Sequence, residues 1–353
     1  MVDLTVAIPT YNSEHRLSDV LEKLQDCIAY CQQDDVESFT WEIIVVDNNS
    51  LDNTAKLVRD YQSNWSPDYP LKYYFAPEQG AAFARQKAVE KAQGELIAFL
   101  DDDNLPNSDW VAAAYSFGKE HPQVGAYGSK IQAYFFEQES TDRLPDNFNQ
   151  IACFLAIVDR GECPFCYQPQ NKILPPAAGL VVRKQVWLDT VPSRLVLNHK
   201  GKDAGLASED LEALMHIQQA GWEIWYNPAM EIRHKIPNSR LQKEYLQSLV
   251  RCIGLSRHQL RMMTLKNWQK PLALAAYLAN DLRRLLLHIF KHGSKIKTDT
   301  VAACQMEFLI SSLKSPFFLW KKQYVDYLQR KRMLKQTTDM SRKSNQSIVR
   351  DSQ

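Results

Sequence analysis

The chain has 353 residues, of which 45% are hydrophobic and 24% are charged. This length and composition are typical of a globular protein longer than one average domain, and they exclude a disordered or fibrous chain. The formal net charge of +1 conceals an asymmetry, because residues 1–239 carry 20 basic and 34 acidic side chains whereas residues 240–353 carry 22 and 7. The sequence therefore predicts an acidic body that uses a cation and a basic segment that faces an anionic partner.

The first hundred residues alternate between strand and helix patterns. Four short apolar runs predict strands at residues 4–8, 42–46, 71–75 and 95–100. Three segments between them have helical periodicity, at residues 14–30, 51–65 and 81–92. Because strands that alternate with helices form parallel sheets covered on both faces, we expect an α/β fold with a mainly parallel central sheet.

Polar residues directly follow three of the predicted strands. They are Pro9-Thr10-Tyr11-Asn12, Asp47-Asn48-Asn49-Ser50 and Asp101-Asp102-Asp103. Open α/β sheets bind their ligands at the carboxyl ends of the strands. Three consecutive aspartates repel one another unless a cation neutralises them, and Mg²⁺ or Mn²⁺ shared with a diphosphate would do so. A helix-capping turn is the alternative explanation of the triplet.

The rest of the chain changes character at about residue 240. Strands predicted at residues 124–127, 178–182 and 223–226 and a helix at 209–220 complete a body over residues 1–239. Helical periodicity dominates residues 240–335, and residues 336–353 are rich in Ser, Thr and Gln, which predicts a disordered tail.

A helix predicted at residues 271–290 is amphipathic. Its apolar face consists of Leu274, Leu278, Leu282, Leu285 and Ile289. This face would pack on the body or on another subunit, or it would lie on an anionic membrane surface. The basic cluster at residues 330–332 is either a solvated helix end or a contact with anionic lipid. Nothing resembling a nucleic-acid-binding motif accompanies it, so no nucleic-acid partner is expected.

The cysteines and the N-terminus bear on the compartment. Seven scattered cysteines do not form a disulfide pattern, which favours a reducing compartment. The N-terminus lacks the pattern of a signal peptide. The sequence has no uninterrupted run of about 18 apolar residues, so no transmembrane helix is predicted. We expect a cytoplasmic protein, either free or peripherally associated with the inner face of the membrane. Cys163 and Cys166 have the spacing of a metal or redox pair, with unpaired thiols as the alternative.

Six sequence blocks together identify a known family. They lie at residues 6–12 (Val-Ala-Ile-Pro-Thr-Tyr-Asn), 42–54, 79–85, 97–103, 178–179 and 208–210 (Ser-Glu-Asp). Their order and spacing make residues 3–240 similar to the family 2 glycosyltransferases, which have the nucleotide-diphospho-sugar transferase (GT-A) fold. The resemblance implies a GT-A domain over residues 1–239 with a helical C-terminal extension.

The resemblance assigns the nucleotide-sugar site residue by residue. The residues that would bind the donor are Pro9, Thr10, Tyr11, Asp47, Arg85, Asp101 and Asp102. The first three would line the pocket for the base, Asp47 would accept a hydrogen bond from the base, and Arg85 would lie beside the nucleotide. Asp101 would face the ribose and sugar, and Asp102 would share that role.

The resemblance also implies a metal and a base. Asp103 would coordinate Mn²⁺ or Mg²⁺ on the diphosphate, and His234 would complete the contact with the metal or phosphate. An ordinary histidine at a strand end is the alternative for His234. Asp210 would be the catalytic base that deprotonates the acceptor hydroxyl.

One base and one metal, with no second nucleophile, imply a single displacement with inversion at the anomeric carbon. The expected enzyme is a hexosyltransferase that uses a UDP- or GDP-linked donor and a glycan or lipid-linked acceptor, in polysaccharide or cell-surface glycan biosynthesis. A sugar-phosphate nucleotidyltransferase is one alternative, although it would carry a Gly-rich loop after the first strand. A non-catalytic nucleotide-sugar-binding scaffold is the other.

Overall fold

The computed structural model describes residues 2–137, 144–145, 147–171, 173–198, 206–322 and 324. The strands are β1 Leu4–Thr10, β2 Trp41–Asp47, β3 Leu71–Phe75, β4 Leu96–Phe99, β5 Asn104–Pro106, β6 Val124–Tyr134, β7 Phe165–Cys166, β8 Val181–Arg183 and β9 Glu223–Lys235. The helices are α1 Leu17–Cys31, α2 Thr54–Gln62, α3 Ala81–Lys91, α4 Trp110–Glu120, α5 Lys184–Thr190, α6 Glu209–Gln219, α7 Asn238–Leu241, α8 Lys243–Met263 and α9 Lys270–His292. A last helical segment covers residues 300–322.

One mixed sheet forms the centre of the body, with the strand order β3-β2-β1-β4-β8-β6-β9-β5, and β7 pairs with β9. Strands β3, β2, β1 and β4 are mutually parallel, and they are the four strands predicted from the first hundred residues. Strand β8 runs antiparallel to both β4 and β6, whereas β6 and β9 are parallel. The expected α/β class with a central sheet, flanking helices and a helical C-terminus is confirmed.

Burial explains why the first half of the sheet was predictable and the second half less so. Every residue of β2 is buried, because strands flank it on both edges and helices cover both faces. Strands β6 and β9 are longer than the predicted segments 124–127 and 223–226, because they pair with each other as far as Tyr134 and Lys235. Their outer halves contain polar residues and an irregularity at Ser129, which hide the strand pattern in the sequence.

The C-terminal helices pack on the body through both apolar and polar contacts. Leu241, Leu246 and Val250 share a small core with Ile151 and Leu155. On α8, Gln259 donates a hydrogen bond to Glu212 of α6 at 3.0 Å. The described part of the chain contains no helix long and apolar enough to span a membrane. A division at residue 240 stays a prediction, and residues 330–332 and 336–353 lie outside the described residues.

Helix α9 is the amphipathic helix predicted at residues 271–290, but its apolar face is divided. Leu274, Leu278 and Leu285 are half-buried, whereas Leu282 and Ile289 are exposed. The firmest attachment of α9 to α8 is ionic, because both guanidinium nitrogens of Arg261 donate to the fully buried carboxylate of Asp281, at 2.5 and 2.8 Å. Helix α9 therefore packs on α8 with one narrow strip of its surface.

Candidate active site

The three polar segments predicted to surround a ligand meet at one edge of the sheet. Strand β1 lies between β2 and β4, and Thr10 at the end of β1 is opposite Asp47 at the end of β2. The aspartate triplet begins two residues after β4 ends. Parallel strands bring their carboxyl ends to the same edge, so Thr10, Asp47 and Asp101 lie on adjacent strands or directly beyond them.

Asp47 is held in a fixed orientation by two donors. Its side chain is buried, the backbone N–H of Ser50 donates to Oδ1 at 2.9 Å, and the hydroxyl of Tyr73 donates to Oδ2 at 2.8 Å. Burial and this contact raise the pKa of Tyr73 to about 12, so the phenol remains a donor at neutral pH. Tyr73 was not among the predicted site residues, because nothing in the sequence of β3 distinguishes it from other strand aromatics.

The central aspartate of the triplet is oriented toward the loop after β1. Oδ2 of Asp102 accepts hydrogen bonds from Thr10 Oγ1 at 2.8 Å and from the hydroxyl of Ser13, and Oδ1 lies 3.2 Å from Arg16 Nη2. The partners of Asp102 therefore differ from those of Asp101 and Asp103, whose carboxylates pair with other basic side chains. Asp102 thus holds the segment of residues 10–16, which includes Thr10 and Tyr11 of the predicted base pocket.

Arg85 lies deep in the site, between two carboxylates. Its Nη1 donates to Glu209 Oε1 at 2.7 Å, and its Nη2 donates to Asp101 Oδ1 at 3.3 Å. The Arg85 side chain is only 9% exposed, whereas that of Asp101 is 34% exposed. Burial raises the pKa of Asp101, although the Arg85 charge opposes this shift. The open face of Asp101 is thus accessible from solvent, whereas Arg85 is enclosed by its two carboxylate partners.

Asp210 is the second residue of α6, next to Glu209. Its Oδ2 accepts the backbone N–H of Ala177 at 2.9 Å, and its Oδ1 accepts that of Leu211 at 2.8 Å. Burial and the charge of Glu209 raise the pKa of Asp210 to about 6, against the opposing effects of Arg85 and the two backbone donors. A carboxylate with this pKa is ionised at neutral pH and is a stronger base than an ordinary aspartate.

Asp103 and His234 come together through the pairing of β5 with β9. Asn104, the next residue after Asp103, is opposite His234 in the ladder. His234 Nδ1 lies 2.9 Å from the carbonyl oxygen of Leu155, which only accepts, so Nδ1 carries the proton and Nε2 has a free lone pair. Nε2 lies 3.7 Å from Asp103 Oδ2. The predicted proximity of these two residues is observed.

A third side chain, Arg240 of α7, lies between Asp103 and His234. Its Nη2 is 2.6 Å from Asp103 Oδ2, and its Nη1 donates to His234 Nε2 at 2.9 Å. Burial alone would raise the pKa of Asp103, but the positive charge of the Arg240 guanidinium lowers it below its usual range. Arg240 was not among the predicted site residues. The only related signal in the sequence is the change from acidic to basic composition near residue 240.

The donor set of this corner suits a hard divalent cation that shares its ligands with a substrate. Among the described residues, no group of three or more His, Cys, Asp or Glu side chains could hold a metal ion. Asp103 and His234 supply one oxygen and one unprotonated nitrogen 3.7 Å apart. Mg²⁺ typically binds one or two protein ligands and takes the others from phosphate oxygens and water, so this pair fits once Arg240 moves away.

The remaining candidates belong to the structure of the body. Cys163 is exposed, Cys166 is half-buried, and both are free thiols. Trp222 and Trp225 pack against the main core, and Tyr226 is fully buried with its hydroxyl donating to the Gly161 carbonyl at 3.2 Å. These three aromatic residues therefore belong to the core of the body.

Comparison with known proteins agrees with this geometry. Residues 5–172 match the model of the family described as glycosyl transferase family 2. A glycosyltransferase of Bacillus subtilis, YfnE, is 31% identical over 138 residues, which are 38% of this chain and 32% of that protein. The poly(ribitol-phosphate) beta-N-acetylglucosaminyltransferase TarS of Staphylococcus aureus is 28% identical over 121 residues, 34% of this chain and 20% of TarS. The chain thus covers about a third or less of the length of these two relatives.

A solved structure extends the likeness beyond the family segment. The mannosyltransferase PcManGT of Pyrobaculum calidifontis, in complex with GDP-Man and Mn²⁺, superposes with a TM-score of 0.53 at 21% identity, covering 90% of this chain and 87% of that one. The likeness concerns the fold, and it confirms the GT-A architecture expected from the sequence blocks. The family match over residues 5–172 confirms the resemblance to the glycosyl transferase family 2 that the sequence blocks indicated.

Proposed function

We propose that this chain is an inverting, metal-dependent hexosyltransferase. It moves a sugar from a UDP- or GDP-linked donor to a glycan or lipid-linked acceptor, in polysaccharide or cell-surface glycan biosynthesis. The observation that carries the proposal is the hydrogen-bonded row Asp101–Arg85–Glu209, which joins the aspartate triplet to the start of α6. This row connects the group proposed to face the donor with Asp210, the group proposed to activate the acceptor.

Asp210 acts as the general base in this proposal. Of the three carboxylates around Arg85, Asp101 and Glu209 are hydrogen-bonded to its guanidinium, whereas Asp210 receives only backbone N–H groups. Its pKa of about 6 lets it accept a proton from the acceptor hydroxyl at neutral pH. Because Asp210 acts as the base while Asp101 and Glu209 are held by the guanidinium of Arg85, we infer a single displacement with inversion at the anomeric carbon.

The donor would bind along the edge formed by β1, β2 and β4. Pro9, Thr10 and Tyr11 would line the base pocket, and Asp47 would accept a hydrogen bond from the base in the orientation set by Ser50 and Tyr73. Asp101 would bind the ribose and sugar through its open face. Asp102 would contribute through the loop that it fixes.

Asp103 and His234 would hold the divalent cation, Mn²⁺ or Mg²⁺. A cation held there stabilises the negative charge that gathers on the leaving nucleotide diphosphate. The Mn²⁺ and GDP-Man in the complex of the mannosyltransferase PcManGT support this assignment by analogy of fold. On the side of the protein, Asp103 contributes an ionised carboxylate and His234 an unprotonated Nε2.

The charge of the C-terminal segment bears on the choice of acceptor. The relative TarS is named for transfer to poly(ribitol-phosphate), an anionic polymer, which is the kind of partner that a basic C-terminal segment would attract. A nucleotidyltransferase is less favoured, because β1 is followed by Pro9 and Tyr11 rather than by a Gly-rich loop. The scaffold alternative conflicts with the retained carboxylates at positions 47, 101, 103 and 210.

Helix α9 would bind an anionic membrane surface. The apolar side chains that it exposes to solvent include Leu272, Leu282, Leu286 and Phe290, the last of which is 87% exposed. Basic side chains at positions 283, 284 and 291 lie on the same helix. Exposed apolar residues flanked by Arg and Lys are typical of helices that lie in the headgroup region of anionic lipid. This orientation would suit a lipid-linked acceptor.

The function can be tested before any acceptor is known. Thermal unfolding is measured with UDP- and GDP-linked sugars, each with and without Mn²⁺, and release of free UDP or GDP is then followed for the sugar that stabilises the protein most. We expect stabilisation by one base class that depends on Mn²⁺, followed by slow hydrolysis of the donor. Stabilisation without any release would favour the scaffold, and the absence of both would reject the proposal. Once an acceptor is found, comparison of the anomeric configuration of product and donor by NMR tests inversion.

A further inference from the structure

The guanidinium of Arg240 occupies the point where a cation bound to both Asp103 and His234 would lie. It contacts Asp103 Oδ2 at 2.6 Å and His234 Nε2 at 2.9 Å, while these two atoms are 3.7 Å apart. The single guanidinium of Arg240 thus donates to the lone pair of His234 Nε2 and also to Oδ2 of the Asp103 carboxylate. These are the two atoms that a divalent cation would need.

The surrounding charges explain why a cation belongs there. Asp101, Glu209 and Asp210 surround the buried Arg85, and Asp103 lies close enough to Asp101 for the two charges to interact, so one arginine cannot neutralise all four carboxylates. Like charges in a buried site repel unless a cation offsets them. Arg240 supplies that charge from α7, a helix of four residues that begins directly after Pro237.

The side chain of Arg240 is able to leave this position. It is 23% exposed, compared with 9% for Asp103 and for His234, and its long aliphatic stem allows the guanidinium to turn. A divalent cation and a guanidinium on the same carboxylate oxygen would repel each other. Entry of the cation therefore requires the guanidinium to move, and a diphosphate beside the cation offers it a bidentate partner.

We propose that Arg240 is a built-in counter-ion of the empty donor site, which a divalent cation displaces and which then binds the nucleotide diphosphate. The inference rests on the proposed function, because it presumes a diphosphate donor at this edge of the sheet. It makes cation and nucleotide binding mutually dependent. Without nucleotide the cation must displace Arg240 into solvent, whereas with nucleotide the displaced guanidinium gains a new partner. Such coupling is reciprocal. Nucleotide and Mn²⁺ therefore strengthen each other's binding by the same factor.

The test is a binding cycle that needs no turnover. The affinity of Mn²⁺ is measured by electron paramagnetic resonance in the absence and presence of UDP or GDP, for the wild type and for Arg240→Gln. We expect the variant to bind Mn²⁺ alone on the order of tenfold more tightly, because no guanidinium has to move, and to lose most of the strengthening by nucleotide. Arg251→Gln removes the same charge from an exposed pair with Glu307 and should behave as the wild type.

Other outcomes separate the inference from the function on which it rests. If the wild type binds neither nucleotide with Mn²⁺, the proposed function fails. If it does bind one and Arg240→Gln leaves Mn²⁺ affinity unchanged or lowers it, the displacement is wrong and the function stands. Nucleotide binding that needs Arg240 but no cation would also overturn the displacement, since the guanidinium would then replace the metal.

A second measurement covers the case in which Arg240→Gln does not fold. Guanidinium signals of the wild type are followed by NMR during titration with Mg²⁺ and UDP or GDP, with the Arg240 signal identified by its loss in Arg240→Lys. We expect that signal to shift when both ligands are present. A signal that stays in place, while other site residues respond, would contradict the proposal.

Discussion

Nη1 of Arg85 donates to Oε1 of Glu209 at 2.7 Å, and both side chains are only 9% exposed. This ion pair joins α3 to the first residue of α6, across 124 positions of the sequence. Arg85 was expected beside the nucleotide from the family resemblance, and the structure gives it two carboxylate partners, the buried Glu209 and the partly exposed Asp101. The pair therefore orders the site from within, and it holds Asp210 near the aspartate triplet.

The first prediction concerns this pair. Replacing Arg85 with Met should lower the free energy of unfolding by about 3–5 kcal/mol, because it leaves buried carboxylates without their cation. The double variant Arg85→Met with Glu209→Leu should recover part of that loss, since it removes one of the unpaired charges. Urea unfolding measures both. Arg59→Met, at an exposed position of α2, serves as the control and should change stability little; equal losses in the single and double variants would contradict the pairing.

The second prediction concerns the rate of transfer. Asp210→Asn should lower kcat by about 10²–10⁴-fold while donor affinity stays near that of the wild type, because the change removes the base and keeps the shape. In the wild type, kcat should fall as the pH decreases through about 6, where Asp210 becomes protonated. Steady-state kinetics from pH 5 to 8 with parallel donor titrations give both results. Turnover retained in Asp210→Asn would reject the assignment of the base.

A third prediction follows from the same raised pKa but concerns stability. The folded state binds the Asp210 proton more tightly than the unfolded chain, in which the pKa is near 3.8. The stability that this proton provides is therefore complete below pH about 4 and is lost as the pH rises through about 6. Asp210→Asn has no carboxylate at this position and therefore keeps its stability as this proton is lost from the wild type. The unfolding free energy of the variant, relative to that of the wild type, should rise by on the order of 2–3 kcal/mol between pH 4 and pH 7.

That comparison uses urea unfolding of both proteins at each pH. The control is Asp60→Asn on α2, which makes the same substitution at an exposed position. A difference between Asp210→Asn and the wild type that stays constant from pH 4 to pH 7 would show that burial does not destabilise the Asp210 carboxylate.

The fourth prediction concerns the cation. Asp103→Ala should abolish the part of nucleotide affinity that depends on Mn²⁺, because one of the two proposed protein ligands is lost. Calorimetric titration with UDP and GDP, with and without Mn²⁺, measures this difference. Affinities that remain equal to those of the wild type under both conditions would contradict the assignment. Asp109→Asn, near the start of α4, provides a control outside the aspartate triplet.

The sequence predicted the parallel half of the sheet and the edge at which its polar residues meet, because both follow from local patterns. Strands β1 to β4 are short apolar runs, and the residues after them point to a ligand site without knowledge of distant contacts. Arg240 and Glu209 could not be assigned in this way. Arg240 reaches Asp103 only because β9 pairs with β5, and Glu209 reaches Arg85 only because α6 packs near α3. Such pairings depend on the tertiary fold, which periodicity does not encode.

The exposure of the α9 surface is another feature that depends on tertiary packing and not on sequence periodicity. Helical periodicity put Leu274 and Leu282 on one apolar face, but the packing of α8 decides how much of that face is covered. The ionic contact between Asp281 and Arg261 fixes the rotation of α9, which leaves Leu282 exposed together with Leu286 and Phe290. An exposed apolar strip beside Arg283 and Arg284 could therefore be located only from the structure.

The last prediction tests whether this strip binds lipid. The wild-type protein should sediment with vesicles that contain phosphatidylglycerol but not with pure phosphatidylcholine vesicles, and added salt should weaken the binding because anionic headgroups attract the basic side chains. Leu286→Glu with Phe290→Glu should abolish sedimentation, since charged groups would replace the apolar contact. Leu188→Glu, at an exposed apolar position of α5, is the matched control and should bind as the wild type does. Analytical ultracentrifugation of the same proteins tests the competing occupant: a dimer of the wild type that the double variant converts to a monomer, without lipid binding by either, would assign the strip to a second copy of the chain.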